Sequence, residues 1–431
     1  MEQAEAEVLR RLDALPVWPY RPRVLAIVGA AYFFAFFDIV NIGFCLPSIE
    51  TAFSINENVA AIAISLGLAA YVIGALSDAF ISDRFGRQIA LMISVIFFTV
   101  GTLISGFATS FPMLLVGRVI AGMGIGADIA AATAYITGIS PARLRGQAGS
   151  KSVVWGYVGV AVAPFIAMVL LPGHPNGWRI MFIVGGIGGL IILPLRRLIP
   201  ESPRWLVSHG QPEKAEPLIV AAEEYAKKST KKPVVVRTRP PTKHMSTGRT
   251  VALFLAVWFV YYIGNYGWLT LAPTLLTDNG FSLSDSLSFL CVTGLGLVVG
   301  ALFAVWVADR FERKFMIAGA LCLSAVSFLA IGALPRSAII MVFGFLICFT
   351  IGLVVPLLYV NTSEQFSGDF QARGVANTDG WGHIGAAICP QLILPAAGIA
   401  FFWGFAVMAA TAIISGGLVL LSRRMTGRTA E

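Results

Sequence analysis

The chain has 431 residues, 57% of them hydrophobic and 13% charged, with a mean hydropathy of +0.79 and a formal net charge of +8. Soluble domains carry about 25% charged residues, so this balance excludes an ordinary soluble enzyme or binding module and indicates an integral membrane protein. The positive excess reads as membrane topology and not as a nucleic-acid signal, because the basic residues cluster between apolar stretches.

In chain order, residues 1–23 form a charged segment with Pro16 and Pro19 and no short apolar core ending in a cleavage site, so no signal peptide is expected. Val8, Leu9, Leu12 and Leu15 share one face, which leaves two readings open: a helix over 3–15 on the inner leaflet, or a frayed tail. Then come about twelve apolar stretches, each roughly the 20 residues that a span needs. They fall near 24–46, 59–82, 89–108, 113–137, 152–171, 178–197, 250–276, 286–308, 315–334, 337–361, 375–396 and 399–422. The expected organisation is an N-terminal six-helix half at 24–197, a basic and polar linker at 198–249, a C-terminal six-helix half at 250–422 and a tail at 423–431.

Arg118 lies within the fourth stretch, Arg179 and Arg336 fall on one side, and every other Lys and Arg falls on the opposite side. The positive-inside rule then expects both termini and the linker in the cytoplasm, for a multi-pass protein of the plasma (inner) membrane. Cys45, Cys291, Cys322, Cys348 and Cys389 all lie in apolar stretches and read as small core residues without a disulfide framework.

Charges that interrupt the apolar stretches include Asp38 in the first and Arg118 in the fourth. A charge near the bilayer centre costs about 2.5–3.5 kcal/mol on insertion scales and persists when paired or functional. A carboxylate that takes up a proton, with a fixed cation to hold or release it, can couple solute movement to a proton gradient.

The second half also repeats the first at an offset of 226 residues. Gly74-Ala-Leu and Asp83-Arg-Phe-x-Arg87 return as Gly300-Ala-Leu and Asp309-Arg-Phe-x-Arg313, Pro47 matches Pro273, and Trp155-Gly156, Gly159 and Pro164 match Trp381-Gly382, Gly385 and Pro390. Two parallel halves with a solute site at their interface near mid-membrane follow from such a repeat; a channel built from duplicated halves shares the pattern.

Five motifs carry a resemblance. They are Asp83-Arg-Phe-Gly-Arg87, Arg118-Val-Ile-Ala-Gly-Met-Gly-Ile-Gly126, Ser140-Pro-Ala-Arg-Leu-Arg-Gly146, Pro200-Glu-Ser-Pro-Arg-Trp-Leu206 and Trp381-Gly-His-Ile-Gly-Ala-Ala-Ile-Cys-Pro390. Over its whole length the chain resembles the major facilitator superfamily, and within it the sugar-porter-like and organic-ion branches. Phe36-Phe37-Asp38-Ile-Val-Asn41 is similar to the aromatic-acid and metabolite–proton symporter groups. The resemblance implies an all-α integral membrane fold of 12 transmembrane helices in two pseudo-symmetric six-helix halves, working by alternating access. It implies proton coupling at Asp38 and Arg118, which stand where proton-coupled relatives pair an acid with this arginine. It also implies a gate on one membrane face built from Asp83, Arg84, Arg87, Arg145, Glu201, Asp309, Arg310, Arg313, Glu364 and Arg373. Ala79, Glu312 and Gly138 depart from the family pattern, which predicts a thinner gate network.

The seventh stretch lacks the glutamine pair of hexose porters and is aromatic instead. Tyr262, Tyr266, Trp155, Tyr157, Tyr359 and Trp381, with Asn41 and Asn265, make a candidate cavity for a flat organic ion through stacking. Asp128 resembles an acidic position of the organic-ion branch. His383 stands where organic-anion members carry an arginine and organic-cation members an aspartate, favours an anion weakly and in a pH-dependent way, and could be held by Asp379 one turn earlier. The expected function is proton symport of an aromatic or heteroaromatic acid by a monomer that needs no cofactor or metal. A cation exporter using Asp38 and Asp128, and a non-transporting solute sensor, are the alternatives. An enzyme is not expected, because His174, His209, His244 and His383 do not cluster.

Overall fold

The computed structural model describes residues 2–141, 144–228, 247–307, 310–366 and 371–424. It is all helical there. The elements are α1 (Glu2–Ala14), α2 (Pro22–Phe53), α3 (Glu57–Ala60), α4 (Ile62–Phe85), α5 (Arg87–Gly106), α6 (Phe111–Ile139), α7 (Arg145–Leu170) and α8 (Gly177–Leu195), which runs into a 3-10 turn at Arg196–Leu198. Then come α9 (Pro203–Ser208), α10 (Pro212–Lys227), α11 (Thr247–Asp278), α12 (Leu283–Val307), α13 (Arg313–Ala333), α14 (Ser337–Gln365), α15 (Gln371–Ile399) and α16 (Phe401–Leu420).

Among the described residues 12 helical segments are long and apolar enough to cross a membrane, with α3 and α4 together forming the second. Helices satisfy every backbone group internally, as hydrocarbon demands. Several outrun their apolar stretches: α2 continues through Pro47 to Phe53. Side-chain caps set some starts, as Asn56 accepts from Val59 N and Ser110 from Met113 N. Large apolar residues such as Phe80, Val169, Leu302 and Trp306 stay exposed, which forms the lipid-facing surface. Cys322 is exposed too, unlike the other four cysteines, and corrects the reading of all five as core residues.

The sequence repeat is a repeat of contacts. A Cβ on Gly74 would stand 1.9 Å from Met123 O, and one on Gly300 would stand 2.0 Å from Phe349 O. Likewise Gly159 abuts Phe33 O at 2.2 Å and Gly385 abuts Phe259 O at 2.0 Å. In both cases the glycine and its partner are displaced by the same 226 residues. The same backbone-to-backbone approach therefore joins α4 to α6 and α12 to α14, then α2 to α7 and α11 to α15. Each needs a residue without a side chain.

The halves meet through α2 with α11, α4 with α15 and α7 with α12. Gly43 packs on the Thr270 backbone, Ser65 hydrogen-bonds Gln391 at 2.8 Å, and Gly294 lies on Ala161. These contacts lie between mid-helix and the face opposite the termini. On the terminus side, Trp155 and Trp381 remain 46% and 43% exposed.

Residues 3–15 follow the helical reading and not the frayed tail, as α1 over Glu2–Ala14. Its apolar face packs on protein: Val8, Leu12 and Leu15 bury against Leu206, Val207, Ala215, Ile219 and Ala222 of α9 and α10. Arg11 pairs with Glu216 at 2.5 Å and Glu223 at 2.8 Å, and Arg204 pairs with Asp13 at 2.5 Å.

Candidate functional site

Four helices of the N-terminal half converge on one ion pair. Arg118 of α6 holds Asp38 of α2 with a fork, Nη2 to Oδ2 at 2.5 Å and Nη1 to Oδ1 at 3.3 Å. Thr102 of α5 donates to Oδ1 at 3.2 Å, and the guanidinium lies 5.2 Å from the Phe182 ring centre on α8. Asp38 is fully buried and Arg118 nearly so. Such a pair is held by geometry as well as charge, and losing one partner strands the other in a low-dielectric interior. α6 comes close enough to α4 because Gly122 and Gly126 face the carbonyls of Gly67 and Tyr71, where a Cβ would stand 2.0 Å away.

In the C-terminal half the aromatic residues gather round His383. Its Nδ1 is 2.9 Å from Asp379 O, and a carbonyl can only accept, so Nδ1 is assigned the proton. Nε2 then accepts from Tyr266 Oη at 3.2 Å. Tyr262 donates to the Asp379 carboxylate, and that carboxylate lies 3.8 Å from Nδ1. Asp379 thus holds the ring through its backbone. Tyr71, from α4 of the other half, stacks on the imidazole at 4.0 Å with 20° between planes. Tyr359 packs against Trp258 at 4.7 Å beside this group. Nothing in the spacing of Tyr71 marked it out, since its role depends on which helix of the other half arrives opposite.

The remaining candidates are more scattered. Asn41 is buried and accepts from Cys45 Sγ, with its Nδ2 unpartnered. Among the described residues Asn265 Oδ1 and Tyr157 Oη are also buried without a partner, and so is Oη of Tyr261, to which the sequence assigns no role. Asp128 is not with this group. It pairs with Arg196 (Nη2 to Oδ1, 2.7 Å) and accepts from Ser94 at 2.9 Å, with both charges buried inside the N-terminal half. By sequence Arg196 counts only among the basic residues on the terminus side. Its position at the end of α8 sends it inward instead, and a run of arginines in sequence does not show which one turns in.

On the terminus side, Arg87 pairs with Asp83 at 2.7 Å and donates to Ser82 at 2.5 Å. Glu201 accepts from the Arg87 and Gln88 amides at 3.0 and 3.1 Å, a carboxylate seated on the N-terminus of α5. Gly86 makes this possible: its φ is +103°, and a Cβ there would stand 2.5 Å from the Glu201 carboxylate. Trp205 Nε1 donates to Asp83 O at 2.9 Å, fastening α9 to the same turn. Arg84 departs from the expected pairing and lies over the Phe80 and Phe85 rings, at 5.8 and 5.6 Å. In the other half Arg313 pairs with Glu364 at 2.5 Å, and Arg310 lies 4.2 Å from the Trp306 ring centre. These contacts each stay within one half. Asp309 and the side chains of Arg145 and Arg373 lie outside the described residues.

Comparison with known proteins places this geometry. Residues 23–423 match the family described as sugar (and other) transporter. The niacin transporter NiaP of Acinetobacter baylyi is 25% identical over 90% of this chain and 90% of its own length. The benzoate transport protein of the same organism is 25% identical over 98% of this chain and 94% of its own. Among solved structures, the E. coli xylose transporter XylE in a partially occluded inward-open conformation superposes with a TM-score of 0.77. It shares 17% identity and covers 94% of this chain and 99% of its own, which shows the fold. The chain belongs to the sugar (and other) transporter family of the major facilitator superfamily: it is a multi-pass secondary transporter of small organic solutes, and not an enzyme.

Proposed function

We propose that the protein is a proton symporter for an aromatic or heteroaromatic monocarboxylate, with its termini in the cytoplasm. The observation that carries the substrate class is the His383 group: an imidazole enclosed by Tyr71, Tyr262 and Tyr266 at ring distances of 4.0, 4.2 and 5.6 Å. Stacked and edge-on rings select flat π-systems, each contact contributing about 0.5–1.5 kcal/mol beyond the area it buries. A sugar would need a dense set of hydroxyl partners, whereas α11 offers aromatic side chains. The buried, unpartnered polar atoms of Asn41, Tyr157, Tyr261 and Asn265 are suited to the few polar contacts that orient such a ligand. The niacin and benzoate carriers among the relatives support the same class.

Coupling follows from Asp38 and Arg118. With the carboxylate charged, the pair is locked and the packing of α2, α5 and α6 around it is fixed. Protonation of Asp38 releases the guanidinium and lets that packing change. The contacts on the terminus side, Asp83–Arg87 and Glu201 on α5, would tighten or loosen across the halves as the cycle turns.

Uptake into proteoliposomes decides the matter. Labelled nicotinate or benzoate should accumulate when the outside is made acidic, and Asp38→Asn should abolish accumulation while leaving exchange. Accumulation of an organic cation instead, or uptake indifferent to pH, would overturn the reading.

A further inference from the structure

Beside the buried ion pair lies a cavity of about 20 Å³, bounded by Ile39, Ile64, Gly67, Tyr71, Arg118 and Gly122 among others. That is room for one water-sized group. Arg118 is 3% exposed, and its Nη atoms are taken by Asp38, but Nε has no partner among the described residues. A buried guanidinium N–H left unpaired costs about 1–3 kcal/mol, more on a charged group, and here the free donor has a water-sized space beside it that an acceptor can enter. Gly67 keeps it open: a Cβ at this position would stand 4.0 Å from Nε. The wall toward the other half is Tyr71, the residue whose ring stacks on His383.

We propose that this cavity is the carboxylate subsite of the transport cycle, where one oxygen of the bound acid takes the free Arg118 Nε–H and its second oxygen takes Nη2, so displacing Asp38 from the guanidinium. This rests on the aromatic-acid reading and adds to it the means by which substrate and proton are counted together. The charges balance. The entering carboxylate replaces Asp38 on Arg118, and Asp38, no longer beside an available cation, takes a proton from the water-filled side. Among the described residues the groups facing Asp38 are Arg118 from α6, Thr102 from α5, Phe182 from α8 and the Cys45 thiol on its own helix, with Tyr71 across the cavity from α4. No second cation is among these to take the place of Arg118. For an acid whose ring lies among Tyr262, Tyr266 and His383, the path to Nε opens when the Tyr71 ring swings off the imidazole.

The test is calorimetry of the full purified chain titrated with nicotinate at pH 7 in two buffers of different ionisation enthalpy. About one proton should be taken up per nicotinate bound, and apparent affinity should rise as pH falls. Asp38→Asn should bind nicotinate with no proton uptake. Gly67→Ala meets its neighbours at ordinary contact distances of 3.5–4.0 Å, so it should fold. Its methyl group fills the cavity against Nε and should weaken nicotinate at least about tenfold. Zero proton uptake by the wild type, uptake that persists in Asp38→Asn, or wild-type affinity in a folded Gly67→Ala overturns the subsite even if nicotinate is still carried. If no aromatic acid binds at all, the parent reading falls. The subsite is then judged with acetate, whose binding must still draw a proton and still be weakened by Gly67→Ala; otherwise it falls too.

Discussion

The two halves share a skeleton and divide the chemistry. Gly74 and Gly300, and Gly159 and Gly385, make equivalent backbone contacts 226 residues apart, and Pro47 and Pro273 lie inside the equivalent helices α2 and α11. Four buried charges of the first half are not repeated. At the same offset Asp38, Arg118, Asp128 and Arg196 of the first half become Gly264, Gly344, Val354 and Ser422, while His383 and Asp379 of the second correspond to Tyr157 and Val153. The positions that set helix approach are constrained by backbone contact in both copies. The polar positions are constrained by what each half must hold, so they could diverge. One half became the ionic device and the other the aromatic one, and the Tyr71–His383 stack joins them.

The largest effect that would test this division is the removal of one charge. Arg118→Leu leaves Asp38 buried without its cation and should cost about 3–5 kcal/mol in thermal unfolding of the detergent-solubilised protein. His383→Leu removes a neutral ring and should cost clearly less while abolishing substrate binding. Equal losses would show that the ionic half is not the special one.

The shared skeleton can be tested in both copies. Gly74→Val and Gly300→Val each force a side chain into a carbonyl that a Cβ alone would approach to 1.9 or 2.0 Å. Both should be destabilised by about 1–3 kcal/mol or more, and by similar amounts. A tolerant Gly300 beside an intolerant Gly74 would mean that the repeat is only a sequence relic in the second half.

Within the ionic half the two pairs should part company. Replacing both partners of a buried pair by uncharged groups of like size is often close to neutral for stability. Asp128→Asn with Arg196→Met should therefore unfold within about 1 kcal/mol of wild type and keep gradient-driven uptake. Asp38→Asn with Arg118→Met should be as stable and inert in accumulation. Loss of uptake in both doubles would make Asp128 and Arg196 part of the coupling machinery.

This pattern explains what could be read from the sequence. The spans are legible because each is one apolar stretch, the repeat because its motifs return at one offset, and the Asp38–Arg118 pair because the family resemblance sets an acid against this arginine. Tyr71, Thr102 and Ser94 are not, because an aromatic or hydroxyl residue inside an apolar helix gains meaning only from the helix it meets. Arg196 was hidden for the opposite reason: it sits beside Arg197 in a basic run, and one turn of helix decides which of the two is buried.

The smallest effect concerns the bundle of α1, α9 and α10, which the first half carries outside its spans. Arg11, Glu216 and Glu223 are partly exposed, at 28%, 43% and 26% of the side chain. Screening therefore keeps the loss on Arg11→Ala to about 0.3–1 kcal/mol. Its sign with pH is fixed. The Arg11 guanidinium holds the Glu223 carboxyl below its ordinary value, so the contribution is complete above the unfolded carboxyl value of about 4.3 and is lost as pH falls through the lower folded one. Protection of the α1 amides, taken relative to their intrinsic exchange rate at each pH, should accordingly fall below about pH 4 in the wild type and already be lower at neutral pH in Arg11→Ala. Because Trp205 of α9 donates to the Asp83 carbonyl, looser docking of α1 should also loosen the turn between α4 and α5. Faster exchange confined to α1 would mean that the bundle is attached to the gate-side turn without bracing it.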